Sequence, residues 1–191
     1  MKIIGITGGI GSGKSTISEL LKLMGIPVYI ADTESKRLTN TSPVIKEKLT
    51  ALFGEDLYPD GKLNKPKLAS IIFTDKDKLE QVNKIIHPEV RNDFLRWVDR
   101  HNHYPIVAQE AAILFESGLN ELMDKVIVVY APLETRIERI MLRDDAPRTK
   151  ILERINSQMS DEEKMKLADF VIYNTEKESL IKQTIAILDA L

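Results

Sequence analysis

The residues best suited to chemistry stand close to the N-terminus. Gly8-Gly9-Ile10-Gly11-Ser12-Gly13-Lys14-Ser15 fits the spacing G-x-x-x-x-G-K-S/T without a mismatch. Glycines let backbone N–H groups turn inward around a phosphate, and the N-terminus of the helix that follows adds its partial positive charge. In this pattern Lys14 reaches the β- and γ-phosphates, the Ser15 hydroxyl is a Mg²⁺ ligand, and Thr16 completes the ATP-binding run. The competing reading is a flexible glycine-rich turn with a chance lysine. The context opposes it, because the run follows an apolar strand and opens a helical pattern. A dinucleotide fingerprint fails, since its third glycine would fall on Lys14. The chemistry indicated is the binding of a nucleoside triphosphate with Mg²⁺.

Such a loop needs a buried strand before it and a helix behind it. Residues 3–7 read as that strand. Ile17, Leu20, Leu21 and Met24 repeat at helical spacing from about Ser15, with Gly25 and Pro27 as the stop. Further apolar runs occur at Val28–Ala31, Ile106–Gln109, Val126–Ala131 and Phe170–Tyr173. Thr175 and Glu178 have capping-box spacing ahead of a last helix with Leu180, Ile181, Ile185 and Leu188. Apolar runs without alternation, separated by helical stretches, predict a parallel sheet covered on both faces. Residues 32–104 break that rhythm: they are charged, helix-prone and hold no convincing buried strand. Residues 136–163 carry Arg136, Arg139, Arg143, Arg148, Lys150 and Arg154 among acidic neighbours, with little continuous apolar surface.

Composition excludes whole classes. The chain has 191 residues, 43% of them hydrophobic and 29% charged, which suits one globular unit with room for a subdomain and argues against disorder. A net charge of −2 does not suit a protein that coats nucleic acid or anionic membrane. With no cysteine, disulfides, thiolate metal sites and thiol catalysis are absent. No stretch approaches the ~20 apolar residues of a membrane span, and the N-terminal segment does not read as a signal peptide. A soluble cytoplasmic protein is expected, with no nucleic-acid, membrane or obligatory protein partner evident.

A phosphate loop serves kinases, GTPase switches and ATP-driven motors alike. The guanine motif Asn/Thr-Lys-x-Asp, the Asp-x-x-Gly switch and the Leu-Ser-Gly-Gly signature are not in the chain. A small-molecule kinase accounts for the rest, with the helical insertion holding the acceptor and the basic segment closing over ATP. Such a kinase needs a carboxylate to accept the acceptor's proton. Asp32, read at the end of the second strand, is the candidate; capping a helix is its other reading.

The chain resembles the dephospho-CoA kinase family nearly end to end. The features shared are Thr7 to Ser15, Ala31-Asp32, Asp60-Gly61-Lys62-Leu63 with Ile72-Phe73, and Ile86-His87-Pro88. Ile113-Leu114-Phe115-Glu116, Arg139, Arg143-Asp144, Arg154-Ile155 with Gln158, and Ala168-Asp169 with Asn174 complete them. The resemblance implies a P-loop NTPase three-layer α/β sandwich with a five-stranded parallel sheet (residues 1–31, 105–135 and 164–191). It adds a helical CoA-binding insertion (32–104) and a helical lid (136–163). It also implies the reaction: ATP-dependent phosphorylation of the 3′-hydroxyl of dephospho-CoA. A nucleoside or nucleotide kinase with the same core, and a slow switch or assembly ATPase, are the alternatives. Departures from the family pattern stand at Ile30, Lys65, Glu110, Ala112 and Arg136. With no carboxylate at position 30, Asp32 is favoured as the base.

Other residues read two ways. Pro88 biases His87 out of helical geometry, so the pair would break a helix and aim an imidazole at the acceptor, or simply close the helix. Ile113 and Leu114 serve as core and as floor of the acceptor pocket. Arg139 and Arg143, at i and i+4, would meet the transferring phosphoryl together, the alternative being ion pairs with Glu138 or Asp144. Arg148 is left as an ion-pair residue. Asn174 would lie beside the adenine or shape a turn. Whether Glu110 serves the Mg²⁺ site is left open.

Overall fold

Five short strands, β1 (Lys2–Thr7), β2 (Val28–Ile30), β3 (Ile106–Glu110), β4 (Lys125–Tyr130) and β5 (Phe170–Tyr173), pair in parallel in the order β2-β3-β1-β4-β5. The computed structural model describes residues 1–73 and 75–191. It divides into two units: residues 1–30 with 101–191, which carry the sheet, and residues 31–100.

In the sheet-bearing unit, β1 is central because both its edges are paired, with Ile6 opposite Glu110 of β3 and Ile127 of β4. Ile4, Ile6, Ala108, Ile127, Val129 and Ile172 present one apolar face. Against it pack Ile17 and Leu21 of α1 (Lys14–Leu23) and Ile187 of α9 (Leu180–Asp189). On the other face Gly5 is crowded: a Cβ there would stand 2.7 Å from Leu114 Cδ2. Helix α1 ends at Gly25, whose φ of 81° lets the Ile26 N–H reach the Leu21 carbonyl at 3.0 Å. Met24, read as part of the apolar stripe, is instead 37% exposed at the helix end.

The charged segment after β4 folds into α6 (Leu133–Asp144), α7 (Arg148–Asn156) and α8 (Asp161–Leu167) within the same unit. Its apolar surface is continuous after all. Ile137, Ile140 and Ile151 form a small buried cluster with Ile10, Leu152 and Ile155, because residues scattered in sequence fall on one face at helical spacing. Helix α9 is capped by the Ser179 hydroxyl, which accepts from the Lys182 N–H. Thr175 and Glu178, read as a capping box for that helix, bond each other at 2.9 Å in the preceding turn.

The other unit holds α2 (Ala31–Thr41), α3 (Pro43–Phe53), α4 (Lys65–Phe73) and α5 (Lys76–Arg100). Strand β2 stops at Ile30, so Asp32 lies in the first turn of α2 rather than at a strand end. The expected break at His87-Pro88 does not occur, and α5 runs through both. Pro88 offers no N–H to the helix, a cost of about 3 kcal/mol. Against it, Val82, Ile86, Val90, Phe94 and Val98 are buried along one stripe, each worth about 1.5 kcal/mol or more. Packing wins over local propensity.

Candidate active site

The loop between β1 and α1 owes its shape to glycine. Gly11 and Gly13 have φ of 82° and 100°, where a side chain is strained. Gly13 caps α1 and no side chain does, so the positive end of the helix is left to the loop. Lys14 is buried, and its Nζ donates to the carbonyls of Gly8 (2.9 Å) and Gly9 (3.1 Å). Ser15 and Thr16 are exposed. The hydroxyls of Thr7 and Ser12 are buried with no hydrogen-bond partner among the described residues. Narrow glycine backbone, a helix end without a cap, a lysine and an unsatisfied hydroxyl fit the phosphates of a nucleotide.

Side chains from the helices after β4 and from the end of β5 close on this loop. Arg136, 3% exposed, donates from Nε to the Ile10 carbonyl at 2.8 Å and pairs with Asp161. Asp161 Oδ1 accepts from the Gly9 N–H at 3.2 Å, and Gln158 Oε1 accepts from the Ile10 N–H at 3.0 Å. A Cβ on Gly9 would displace the Arg136 guanidinium from this position. Asn174 extends the ladder beyond β5, its N–H reaching the Tyr130 carbonyl at 2.7 Å, and its Nδ2 donates to the Ser12 carbonyl at 2.8 Å. A Cβ on Gly13 would strike that Nδ2.

Of the two arginines predicted to act together, only Arg139 reaches this constellation, donating to Asn174 Oδ1 at 3.4 Å. Arg143 is bound to Asp144 through Nε (2.7 Å) and Nη2 (3.1 Å), and Arg154 joins the same carboxylate at 2.7 Å. Arg143 and then Arg154 hold the Asp144 carboxyl far below the usual range for a carboxylate. Arg148 forms a two-point pair with Glu134 at 2.7 Å, as its ion-pair reading expected. Beside Arg139 and Asn174 opens a cavity of about 650 Å³, walled by Pro132, Leu142, Tyr173 and Thr175.

Glu110, at the end of β3, accepts from the buried Ser18 hydroxyl at 2.6 Å. Leu114 is fully buried in the core and Ile113 half-buried. Lys164 is fully buried, held by the Ala112 carbonyl (2.8 Å) and Glu116 (3.1 Å). In the helical unit Asp32 is exposed and His87 half-buried, with burial pushing the imidazole pKa down.

Sequence reasoning did not find Asp161 or Lys164. Asp161 had one indirect signal: Ser160 and Glu163 form a capping box that starts α8 at Asp161. Arg136 was visible as one arginine of the basic segment and as a departure from the family pattern, and Asp161 is its partner in space.

The family model for dephospho-CoA kinase matches residues 2–179. The chain belongs to the dephospho-CoA kinase family. A dephospho-CoA kinase from Bacteroides fragilis is 49% identical over 185 residues, covering 97% of this chain and 90% of that protein. Among solved structures, the Thermus thermophilus protein TT1252 matches 100% of this chain and 97% of its own, with a TM-score of 0.88 and 36% identity. The dephospho-CoA kinase from Campylobacter jejuni covers 98% of this chain and 95% of its own, with a TM-score of 0.70 and 29% identity. The five-stranded parallel sheet with flanking helices is a P-loop kinase fold. Family membership makes it an ATP-dependent kinase. Among the described residues no helix is long and apolar enough to cross a membrane.

Proposed function

We propose that residues 8–16 hold ATP and that Asp32 activates the acceptor in the reaction of this family: transfer of the γ-phosphoryl of ATP to the 3′-hydroxyl of dephospho-CoA, giving CoA and ADP. The observation that carries the reading is the N-terminus of α1, capped by no side chain, with its first residue Lys14 buried and folded back onto the loop carbonyls. Those N–H groups and the ammonium favour an anion at that end of the helix. Ser15 Oγ would hold Mg²⁺, which when bound neutralises charge between the outer phosphates. The adenosine belongs in the cavity beside Asn174, whose volume suits a nucleoside. Arg139 and Arg143 add positive charge at the transferring phosphoryl; for Arg143 this means exchanging Asp144 for phosphate. Residues 136–163 act as a lid.

The helical unit takes the acceptor. It contains a cavity of about 260 Å³ walled by Leu68, Ile72, Val82 and Ile86, with Lys36 and Lys65 at its edge. Apolar walls with amines beside them suit a thin organic arm ending in an anion. His87 and Ile113 remain acceptor-side residues. The reaction needs only the small-molecule acceptor as partner and is placed in the cytoplasm.

Acceptor dependence tests the substrate. Strong ADP production with dephospho-CoA, and little with nucleosides or with no acceptor, is expected; nucleoside-dependent turnover would return the nucleoside-kinase reading. For the base, Asp32→Asn should lower kcat by roughly 10²–10⁴-fold, the usual worth of general-base assistance. ATP binding should persist, and stability should change by about 0.5 kcal/mol or less, because Asp32 is exposed. Wild-type turnover in that variant would remove Asp32 from the reaction.

A further inference from the structure

The first turn of the phosphate loop is gripped from both sides. The peptide joining Gly8 to Gly9 has its carbonyl on Lys14 Nζ at 2.9 Å and its N–H on Asp161 Oδ1 at 3.2 Å. The next peptide, Gly9 to Ile10, repeats the arrangement: carbonyl on Lys14 Nζ at 3.1 Å, N–H on Gln158 Oε1 at 3.0 Å. A peptide unit is planar, so fixing its N–H fixes the direction of its carbonyl. Asp161, first residue of α8, and Gln158, in the turn before it, therefore aim the carbonyls that carry Lys14.

Asp161 is itself fixed. Its second oxygen pairs with Arg136, which is buried and anchored to the Ile10 carbonyl. The segment is pinned at its other end as well. The Met159 N–H donates to Glu116 at 2.9 Å, and Lys164 is buried on Glu116 and the Ala112 carbonyl. A strap with both ends tied cannot drift from the loop without breaking buried ionic bonds, which are costly to leave half-made.

We propose that Asp161 and Gln158 are positioning residues for phosphoryl transfer: they orient the Gly8–Gly9 and Gly9–Ile10 peptides and so set the place of the Lys14 ammonium, with Arg136 holding Asp161 to the task. The proposal rests on residues 8–16 being the ATP site. Its consequence for the lid is specific. Within the lid segment 136–163 it narrows the moving part: residues 158–164 stay with the loop, and α7 with the turn before it moves.

The test uses the full chain with ATP alone and with ATP plus dephospho-CoA. Asp161→Ala should lower kcat by about 10- to 100-fold, since small misplacements of a catalytic group cost that much. KM for dephospho-CoA should change by less than about threefold, because the acceptor is not what the strap touches. Amide exchange at Gly9 should speed up while that of β4 stays as in wild type. Arg136→Gln combined with Asp161→Asn should recover part of the turnover that either change removes alone, because a neutral pair replaces a broken ionic one. Should Asp161→Ala fail to fold, Gln158→Ala removes one neutral hydrogen bond, and a several-fold loss of kcat with faster exchange at Ile10 carries the same expectation. Unchanged kcat with unchanged exchange in the folded variant overturns the proposal. So does tighter ATP binding with faster turnover in Asp161→Ala, which would make the carboxylate a competitor of phosphate. If the wild-type protein itself fails to bind ATP by calorimetry, the ATP-site reading falls first; normal wild-type binding with indifferent variants removes only the positioning role.

Discussion

Arg136 and Arg143 belong to the same helix, α6, and meet opposite fates. Arg136, near its start, is 3% exposed, bonded to the phosphate loop and paired with an aspartate that touches the same loop. Arg143, in its last turn, is exposed and shares Asp144 with Arg154, another surface residue. A buried pair is rigid and costly to break, whereas an exposed pair is screened by water and exchanges partners at little cost. The inner end of α6 is thus built to hold the loop still. The outer end is free to trade a carboxylate for a phosphate.

Perturbations at the inner end should be large and act on turnover. Lys14→Ala should lower kcat by on the order of 10³-fold with the fold intact, since Lys14 supplies charge to the phosphates. Near-native turnover in that variant would break the comparison at its centre. Gly9→Ala comes next, because its Cβ collides with the Arg136 guanidinium and must push it out of a buried site. A loss of about 1–3 kcal/mol in stability is expected from such overpacking, with kcat reduced together with it. Denaturant unfolding and steady-state kinetics on one preparation would check both.

At the outer end the effects shrink. Arg139→Ala should cost kcat about 10- to 100-fold and leave acceptor KM nearly unchanged, as lost transition-state charge would. Arg143→Ala should follow the same pattern with a smaller loss, because Asp144 competes for its guanidinium. Equal and undiminished kcat in both would leave them as surface ion pairs. The smallest effect concerns acid. The Asp144 carboxyl is depressed by Arg143 and Arg154, so its contribution to stability is present above the ordinary aspartate range near pH 4 and is lost only as pH falls through its lower folded-state value. Exchange protection across the turn joining α6 to α7 should therefore persist below pH 4 and decline in more acid solution. High salt should weaken it at neutral pH. Loss of that protection already between pH 5 and 4 would contradict the assignment.

Much of the inner end was legible from local rules. Gly11 and Gly13 are glycine because the backbone turns left-handed there, and Lys14-Ser15 follow them in a pattern few other roles require. The five strands showed as apolar runs because a parallel sheet buries both faces, leaving no alternation to confuse the reading. The errors have physical causes too. The His87-Pro88 break was inferred from the proline ring alone, but five buried side chains outweigh one missing hydrogen bond. Leu114, read as core and as pocket floor, is fully buried, and Gly5 beneath it leaves room for its side chain against the sheet.

What the sequence determined by itself was whatever depends on near neighbours: the phosphate loop, the strand before it, the helix behind it, and the acidic residue that follows β2. Those features need only backbone sterics and periodicity, which act over a few residues. The grip on the loop was decided by the tertiary structure alone. Asp161 lies 152 residues from Gly9 in the chain and Gln158 lies 148 from Ile10. The capping box of Ser160 and Glu163 marks where α8 starts, but nothing local says that Asp161, rather than the exposed Glu162 and Glu163, meets the loop. Only the approach of α6 and the start of α8 to the phosphate loop turns one of the three acids inward, where burial makes its bonds to Arg136 and Gly9 strong.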